Sequence, residues 1–185
     1  MIPDMTGYMS EMTSHWVRRF MPLITAGGLV LDLACGQGRH SLLLDEHGYR
    51  VEAVDRDAGA LAEIAARAPG ITTREADLEG GPWPYHGRAF DGIVVSNYLY
   101  RPLLPLLLNA LEVNGVLIYE TFMVGNERLG KPSNPAFLLR SGELLDVVRR
   151  RLVVVAFEQG EVALPRPAVM QRLCATRRLN PLLPQ

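Results

Sequence analysis

Residues 30–41, Val-Leu-Asp-Leu-Ala-Cys-Gly-Gln-Gly-Arg-His-Ser, decide the fold. Apolar residues flank a single acid, Gly36 and Gly38 follow, and an apolar helical pattern through Leu42, Leu43 and Leu44 starts directly behind them. This is the pattern of a buried strand that stops in a tight turn and restarts as a helix. The glycines leave the turn open, and the first turn of the helix has backbone N–H groups with no partner inside it, so a small, partly polar ligand can lie against that backbone.

Downstream of this unit the alternation repeats. Val51–Val54 reads as a strand ending in Asp55, and Ala58–Ala68 as an alanine-rich helix stopped by Pro69-Gly70. A third strand over Ile71–Arg74 ends near Glu75–Asp77, and a fourth over Ile93–Val95 is followed by Asn97 and Tyr98. A helix through Leu103–Leu111 and a turn at Asn114-Gly115 lead to a fifth strand over Val116–Tyr119. Strand-helix alternation of this kind predicts a mostly parallel sheet covered by helices, and right-handed crossovers make the doubly wound form the economical one. Gly125–Pro135 lacks apolar periodicity and reads as a long loop near the fifth strand's carboxyl end. Ser141 is expected to cap a helix containing Leu144, Leu145 and Val148, with Leu152–Phe157 and Val169–Ala175 as a closing antiparallel hairpin. Upstream, Trp16, Phe20 and Leu23 place an apolar stripe on a short helix, and Met1–Ser10 is expected either to move freely or to close over a ligand. The expected fold is therefore α/β: a Rossmann-like, doubly wound, mostly parallel seven-stranded sheet with a C-terminal antiparallel hairpin.

Composition narrows the function classes. The 185 residues are 48% hydrophobic and 21% charged, the balance of a single packed domain rather than a disordered chain. A net charge of -1, with Arg149–Arg151 as the densest basic cluster, gives no nucleic-acid footprint, so nucleic acid is disfavoured as a partner. Two cysteines make neither a disulfide scaffold nor a close metal pair, and the scattered histidines add no ligand cluster, so no metal is expected. No apolar run has the length of a membrane span and no signal core opens the chain; a cytoplasmic protein without a membrane partner is the expectation.

Ligands of open α/β sheets bind outside the carboxyl ends of the strands. There Asp55 can accept from two adjacent ribose hydroxyls, and Asp77 from an adenine amino group whose ring Leu78 would cover. Asp91 instead precedes its strand and is expected to bond local backbone. The turn lacks the third glycine of the dinucleotide fingerprint, with Ser41 in its place, and Asp32 is expected to repel a pyrophosphate. A ligand carrying an ammonium and a sulfonium charge suits that acid better, which leaves a nicotinamide-dependent oxidoreductase as a weaker rival.

At these residues the chain resembles the class I S-adenosylmethionine-dependent methyltransferases. Val30–Gly38 is similar to their first motif, Val54-Asp55 to the acidic end of their second strand, and Glu75-Ala-Asp-Leu78 to their adenine-contacting segment; Ala34 stands where the family often has glycine. Cys35–Ser41, Glu120-Thr-Phe, Gly125-Asn-Glu and Pro132-Ser-Asn-Pro135 give a narrower resemblance to the small bacterial tellurite-resistance and thiopurine methyltransferase-like group. The resemblance implies S-adenosylmethionine as cofactor and methyl transfer to a small-molecule acceptor, with a binding protein without turnover, a protein or RNA methyltransferase and the oxidoreductase as alternatives. It implies a cofactor set of Trp16, Asp32, Ala34, Cys35, Gly36, Gly38, His40, Asp55, Arg56, Asp77, Leu78 and Asn97. Tyr98, Arg101, Asn126 and Arg128 are the acceptor-site candidates, Lys131 and Asn134 offer further loop donors, and no general base is assigned. The organisation implied is a helical cap over 1–28, a cofactor-binding core over 29–122, a substrate loop over 123–140 and a C-terminal helix and hairpin over 141–185.

Overall fold

The structure is a computed structural model and describes residues 13–183. Met1–Ser10 lies outside the described residues. The chain runs α1 (His15–Phe20), β1 (Leu29–Leu33), α2 (Arg39–Glu46), β2 (Arg50–Asp55), α3 (Ala58–Arg67), β3 (Thr72–Glu75), β4 (Phe90–Ser96), α4 (Leu104–Asn109), β5 (Leu111–Phe122), α5 (Glu143–Val148), β6 (Val153–Val162) and β7 (Ala168–Thr176).

The strands form one seven-stranded sheet in the order β3-β2-β1-β4-β5-β7-β6. The pairs β1–β2, β1–β4, β2–β3 and β4–β5 are parallel, while β7 pairs antiparallel with both β5 and β6. This is the mostly parallel Rossmann-like sheet with a C-terminal antiparallel hairpin that the alternation predicts. The strand order reverses direction between β1 and β4, which opens a crevice at their carboxyl ends.

Side chains alternate across the sheet, as a period of two requires. Leu31, Leu33, Ile93, Val95, Leu117 and Tyr119 pack with α4 and α5 on one face. Val30, Val94, Val116 and Ile118 pack on the other with Trp16, Val17 and Phe20 of α1, Leu42–Leu44 of α2, and Leu61 and Ile64 of α3. The parallel strands are covered on both faces, so they read as nearly continuous apolar runs.

Two local expectations differ from the structure. Ser141 does not cap α5: Gly142 stands at the N-cap in the left-handed region, and the Ser141 hydroxyl accepts from Gln159 Nε2. Leu111 belongs to β5 rather than to the preceding helix, because it pairs with Phe90; the next pair is Gly92–Val116, so Glu112–Gly115 bulge outward. The Asn114-Gly115 turn signal marks that bulge. Asp91 behaves as expected, accepting from the Leu29 N–H at 2.8 Å and so fixing the start of β1. No helix among the described residues is long and apolar enough to cross a membrane.

Candidate cofactor and acceptor site

The turn after β1 is built from left-handed residues at Ala34 (φ 53°), Gly36 (φ 53°) and Gly38 (φ 73°). The two glycines serve different purposes. A Cβ on Gly36 would meet nothing within 4 Å, so that position faces open space, whereas a Cβ on Gly38 would come within 2.5 Å of Ile64 in α3. Gly38 is there for close packing of the helix start, and Gly36 for approach from outside. Ala34 holds a conformation that costs an L-residue about 1–2 kcal/mol, which accounts for glycine being the commoner choice at such a point.

Asp55 closes the turn from β2. Its Oδ2 accepts from the Gly36 N–H at 2.8 Å and its Oδ1 from the Asp57 N–H at 3.1 Å. A carboxylate offers roughly four lone-pair sites, so each oxygen keeps one for a second donor. Beyond β3, Asp77 Oδ1 accepts from the Glu79 and Gly80 N–H groups, and these bonds, Gly80's first, hold its carboxyl below the usual range. Asp77 is therefore a fixed anion, and Leu78 beside it is buried.

These elements border a cavity of about 360 Å³ lined by Ala34, Asp55, Arg56, Ala76, Asp77 and Leu78, and closed by Glu79, Asn97, Tyr98 and Phe137. Asn97 reaches it because the chain turns at φ 57° after β4, a conformation asparagine tolerates better than most residues. The Tyr98 hydroxyl is buried without a hydrogen-bond partner among the described residues. Burial, then the neighbouring Glu79 charge, pushes its pKa well up, so it is a neutral phenol that can donate and cannot serve as a base. An acidic residue with two free lone-pair sites, an apolar wall and an unpartnered donor suit a nucleoside with a vicinal diol.

Several residues expected at this cavity are placed elsewhere. Asp32 lies on the face under α2, where its Oδ2 accepts from the Ser41 hydroxyl at 2.6 Å and its carboxylate also takes a backbone bond from Ser41. It acts as an internal cap on the first turn of α2, with its bonds made to Ser41 rather than at the cavity that Asp55 and Asp77 line. His40 Nε2 accepts from the Ser14 N–H at 3.1 Å, and Ser14 caps α1. Trp16 is buried against Phe20, with its indole N–H donating to the Leu173 carbonyl at 3.1 Å. His40 and Trp16 thus bind α1 to the body of the sheet. Neither cysteine lines the cavity; burial first raises both thiols, and Cys35 points at the Gly36 carbonyl.

The buried pair Asp32 and His40 has a measurable consequence. Burial pushes Asp32 up to about 6, against the Ser41 bonds, and pushes His40 down to about 3, helped by Arg39 and Arg18. The folded state holds the Asp32 proton more tightly than the unfolded chain, so this group adds stability as pH falls from 6 toward 3.8. His40 has the opposite sign: its contribution is full above 6.5 and is lost as pH falls toward 3. From pH 7 to pH 5 these are opposing contributions, a gain and a loss each on the order of 1–2 kcal/mol. Urea unfolding at the two pH values should therefore show His40→Gln gaining stability on acidification and Asp32→Asn losing more than the parent. Identical pH dependence in all three proteins would contradict these burial assignments.

The acceptor candidates also separate. Tyr98 lines the cavity. Arg101 instead binds Glu143 through two nitrogens at 2.7 and 3.0 Å, and donates to the Ala136 and Leu138 carbonyls, each at 2.8 Å. Those carbonyls flank Phe137, so Arg101 holds that ring in place. Asn126 is buried, donating to the Pro132 carbonyl and accepting from the Val169 N–H, and so ties the loop to β7. Arg128 is exposed and pairs with Glu161 at 3.3 Å.

Two arrangements were not foreseen as such, although Lys131 and Asn134 of the first belong to the expected substrate loop. Beside the first cavity lies an open one of about 550 Å³, lined by Asn97, Phe122, Lys131, Pro132, Ser133, Asn134, Phe137 and Arg166; Asn97 and Phe137 line both. Beneath Asn97, whose N–H donates to the Glu120 carbonyl, a partly buried chain of bonds runs from Arg39 through the Ser96 hydroxyl to Glu120, which pairs with Arg172 at 3.3 Å. An acid at the carboxyl end of an apolar strand was the available signal for Glu120, the same signal that marks Asp55.

Known proteins place this geometry in context. A model of the methyltransferase domain matches residues 30–112. The 23S rRNA (uracil(1939)-C(5))-methyltransferase of Nitrosococcus oceani is 30% identical over 151 residues, 77% of this chain. The chain spans about a third of that relative's length, 32%. Among solved structures, TehB from Haemophilus influenzae superposes with a TM-score of 0.78 at 19% identity, covering 94% of this chain and 65% of that one. A TehB-like SAM-dependent methyltransferase from Corynebacterium glutamicum gives a TM-score of 0.65 at 20% identity, with 94% of both chains covered. A Burkholderia thailandensis 1,6-didemethyltoxoflavin-N1-methyltransferase, solved with its substrate and S-adenosylhomocysteine, gives 0.65 at 19% identity, covering 94% of this chain and 80% of that one.

Proposed function

From a chain that has the class I S-adenosylmethionine-dependent methyltransferase fold, we propose an enzyme that transfers the methyl group of S-adenosylmethionine to a small-molecule acceptor. The observation that carries this reading is the pair of adjoining cavities that share Asn97 and Phe137. One has the donors and acceptors for an adenosine, and the other has room for a second molecule beside it. Asp55 would hold the ribose and Asp77 with Leu78 the adenine; Arg56 borders the same cavity, and Gly36 leaves the turn open.

S-adenosylmethionine supplies an electrophilic methyl carbon on a sulfonium: an acceptor lone pair forms the new bond as the carbon–sulfur bond breaks, leaving a neutral thioether. The protein's own work is alignment and exclusion of water. Asn97 and Phe137, which line both cavities, would border the passage between them, with Phe137 held by Arg101. Tyr98 remains a neutral donor on the wall of the first cavity, so it would not take the acceptor's proton. The free state of Cys35 and Cys174 accords with a reducing cytoplasm as the place of action.

Incubation with methyl-labelled S-adenosylmethionine and fractionated small-molecule extract tests the reading. The expected result is label in a small-molecule fraction with matching release of S-adenosylhomocysteine, both lost in Asp55→Ala. Label entering RNA instead, or no release with any fraction, would overturn it.

A further inference from the structure

We infer that the second cavity selects an acceptor with a carboxylate or similar anionic group on a flat, apolar body. The inference rests on the reading of the adjoining cavity as the S-adenosylmethionine site, and it names the substrate class that the enzyme would take.

Among the described residues the lining carries charge of one sign only. Lys131 comes from the loop after β5 and Arg166 from the turn between β6 and β7, and no acidic side chain of the described residues lines the same cavity. This sets them apart from most of the cations nearby. Arg128 pairs with Glu161, Arg101 and Arg140 pair with Glu143, and Arg172 pairs with Glu120. Lys131 and Arg166 have no ion-pair partner among the described residues. A cleft lined by one sign of charge attracts the opposite sign and raises its local concentration.

The apolar surface gives the shape. Arg166 lies over the Phe122 ring, 5.7 Å from its centroid, so its planar guanidinium is held by stacking and its N–H edges remain available for a carboxylate. Phe122 is buried within its own small cluster with Leu138 and Met170, which makes that wall rigid. Phe137 stands at the junction of the two cavities and is 45% exposed, a large apolar surface that a flat ligand would cover. Its neighbours' carbonyls are gripped by Arg101, so the ring is exposed because it is held there. The exposed Phe137 ring beside two cations that have no ion-pair partner among the described residues favours an aromatic acid over a neutral or cationic acceptor.

Calorimetry with naphthoate and its neutral isostere naphthamide, on protein saturated with S-adenosylhomocysteine, tests this. Naphthoate should bind about tenfold or more tightly than naphthamide, a preference that salt weakens and that Lys131→Gln/Arg166→Gln removes. Both positions are exposed, so the double variant should keep the parent's unfolding midpoint. Equal affinity for the two compounds, no binding of either at millimolar concentration, or an unchanged preference in the double variant would overturn the inference. If S-adenosylhomocysteine binds normally in those cases, only the acceptor class fails; if it does not bind at all, the methyltransferase reading fails with it.

Discussion

Replacing Arg101 by methionine should lower the unfolding free energy by about 3 kcal/mol at neutral pH, a drop in midpoint of roughly 6–12 °C for a chain of this size. The reason lies in what the arginine leaves behind. Glu143 is buried; burial opposes its charge, but the Arg101 bonds and the Arg140 N–H outweigh that and hold its carboxyl at about 2. Without Arg101 a buried carboxylate keeps only its bonds to Arg140, and the Ala136 and Leu138 carbonyls lose their donor. Two controls isolate the cause. Glu143's contribution is present above its unfolded value of 4.5 and is lost as pH falls toward 2, so the deficit of the variant should shrink over that window. Adding Glu143→Leu should restore part of the loss, because neither partner then remains buried alone. Thermal unfolding at neutral and acid pH measures both; a variant within about 0.5 kcal/mol of the parent would show that Arg101 is not a staple.

The second large effect concerns Asp55. A carboxylate that accepts from a vicinal diol contributes about 1.5–3 kcal/mol for each charge-assisted bond. Asp55→Ala should therefore weaken S-adenosylhomocysteine binding by roughly a hundredfold or more. The fold should survive, since the N–H groups of Gly36 and Asp57 lie on a turn that water can reach. Asp55→Asn keeps one acceptor oxygen and should fall between the two. Equal affinities for all three proteins, measured by calorimetry, would remove Asp55 from the site.

The sequence-level reading and the structure agree where local rules act alone. Strand-helix alternation and glycine turns gave the sheet, the carboxyl-edge rule pointed to Asp55, Asp77, Leu78, Asn97 and Tyr98, and the resemblance added Arg56; all six line one cavity. The readings part where a side chain's partner comes from a distant element. Trp16 meets Leu173, 157 residues away, and His40 meets Ser14; neither spacing leaves a local trace. Asp32 sits in the expected motif, yet side-chain alternation turns it under α2 and toward Ser41. The second cavity was legible in part: the expected substrate loop over 123–140 supplies Lys131, Asn134 and Phe137, but Phe122 and Arg166 come from a strand and a distant turn, and only the tertiary fold brings them together. Arg101 shows the converse: a cation beside the crevice looks free in sequence, and only the structure reveals Glu143 and two carbonyls as its partners.

If the proposed function is right, the 360 Å³ cavity takes the adenosine and opens toward the second cavity across Asn97 and Phe137. A crystal structure with S-adenosylhomocysteine decides this. Ribose hydroxyls are expected on Asp55, adenine beside Asp77 and Leu78, and the sulfur directed toward the cavity of Phe122, Lys131 and Arg166. A nucleoside bound anywhere else, or none at saturating concentration, would contradict it.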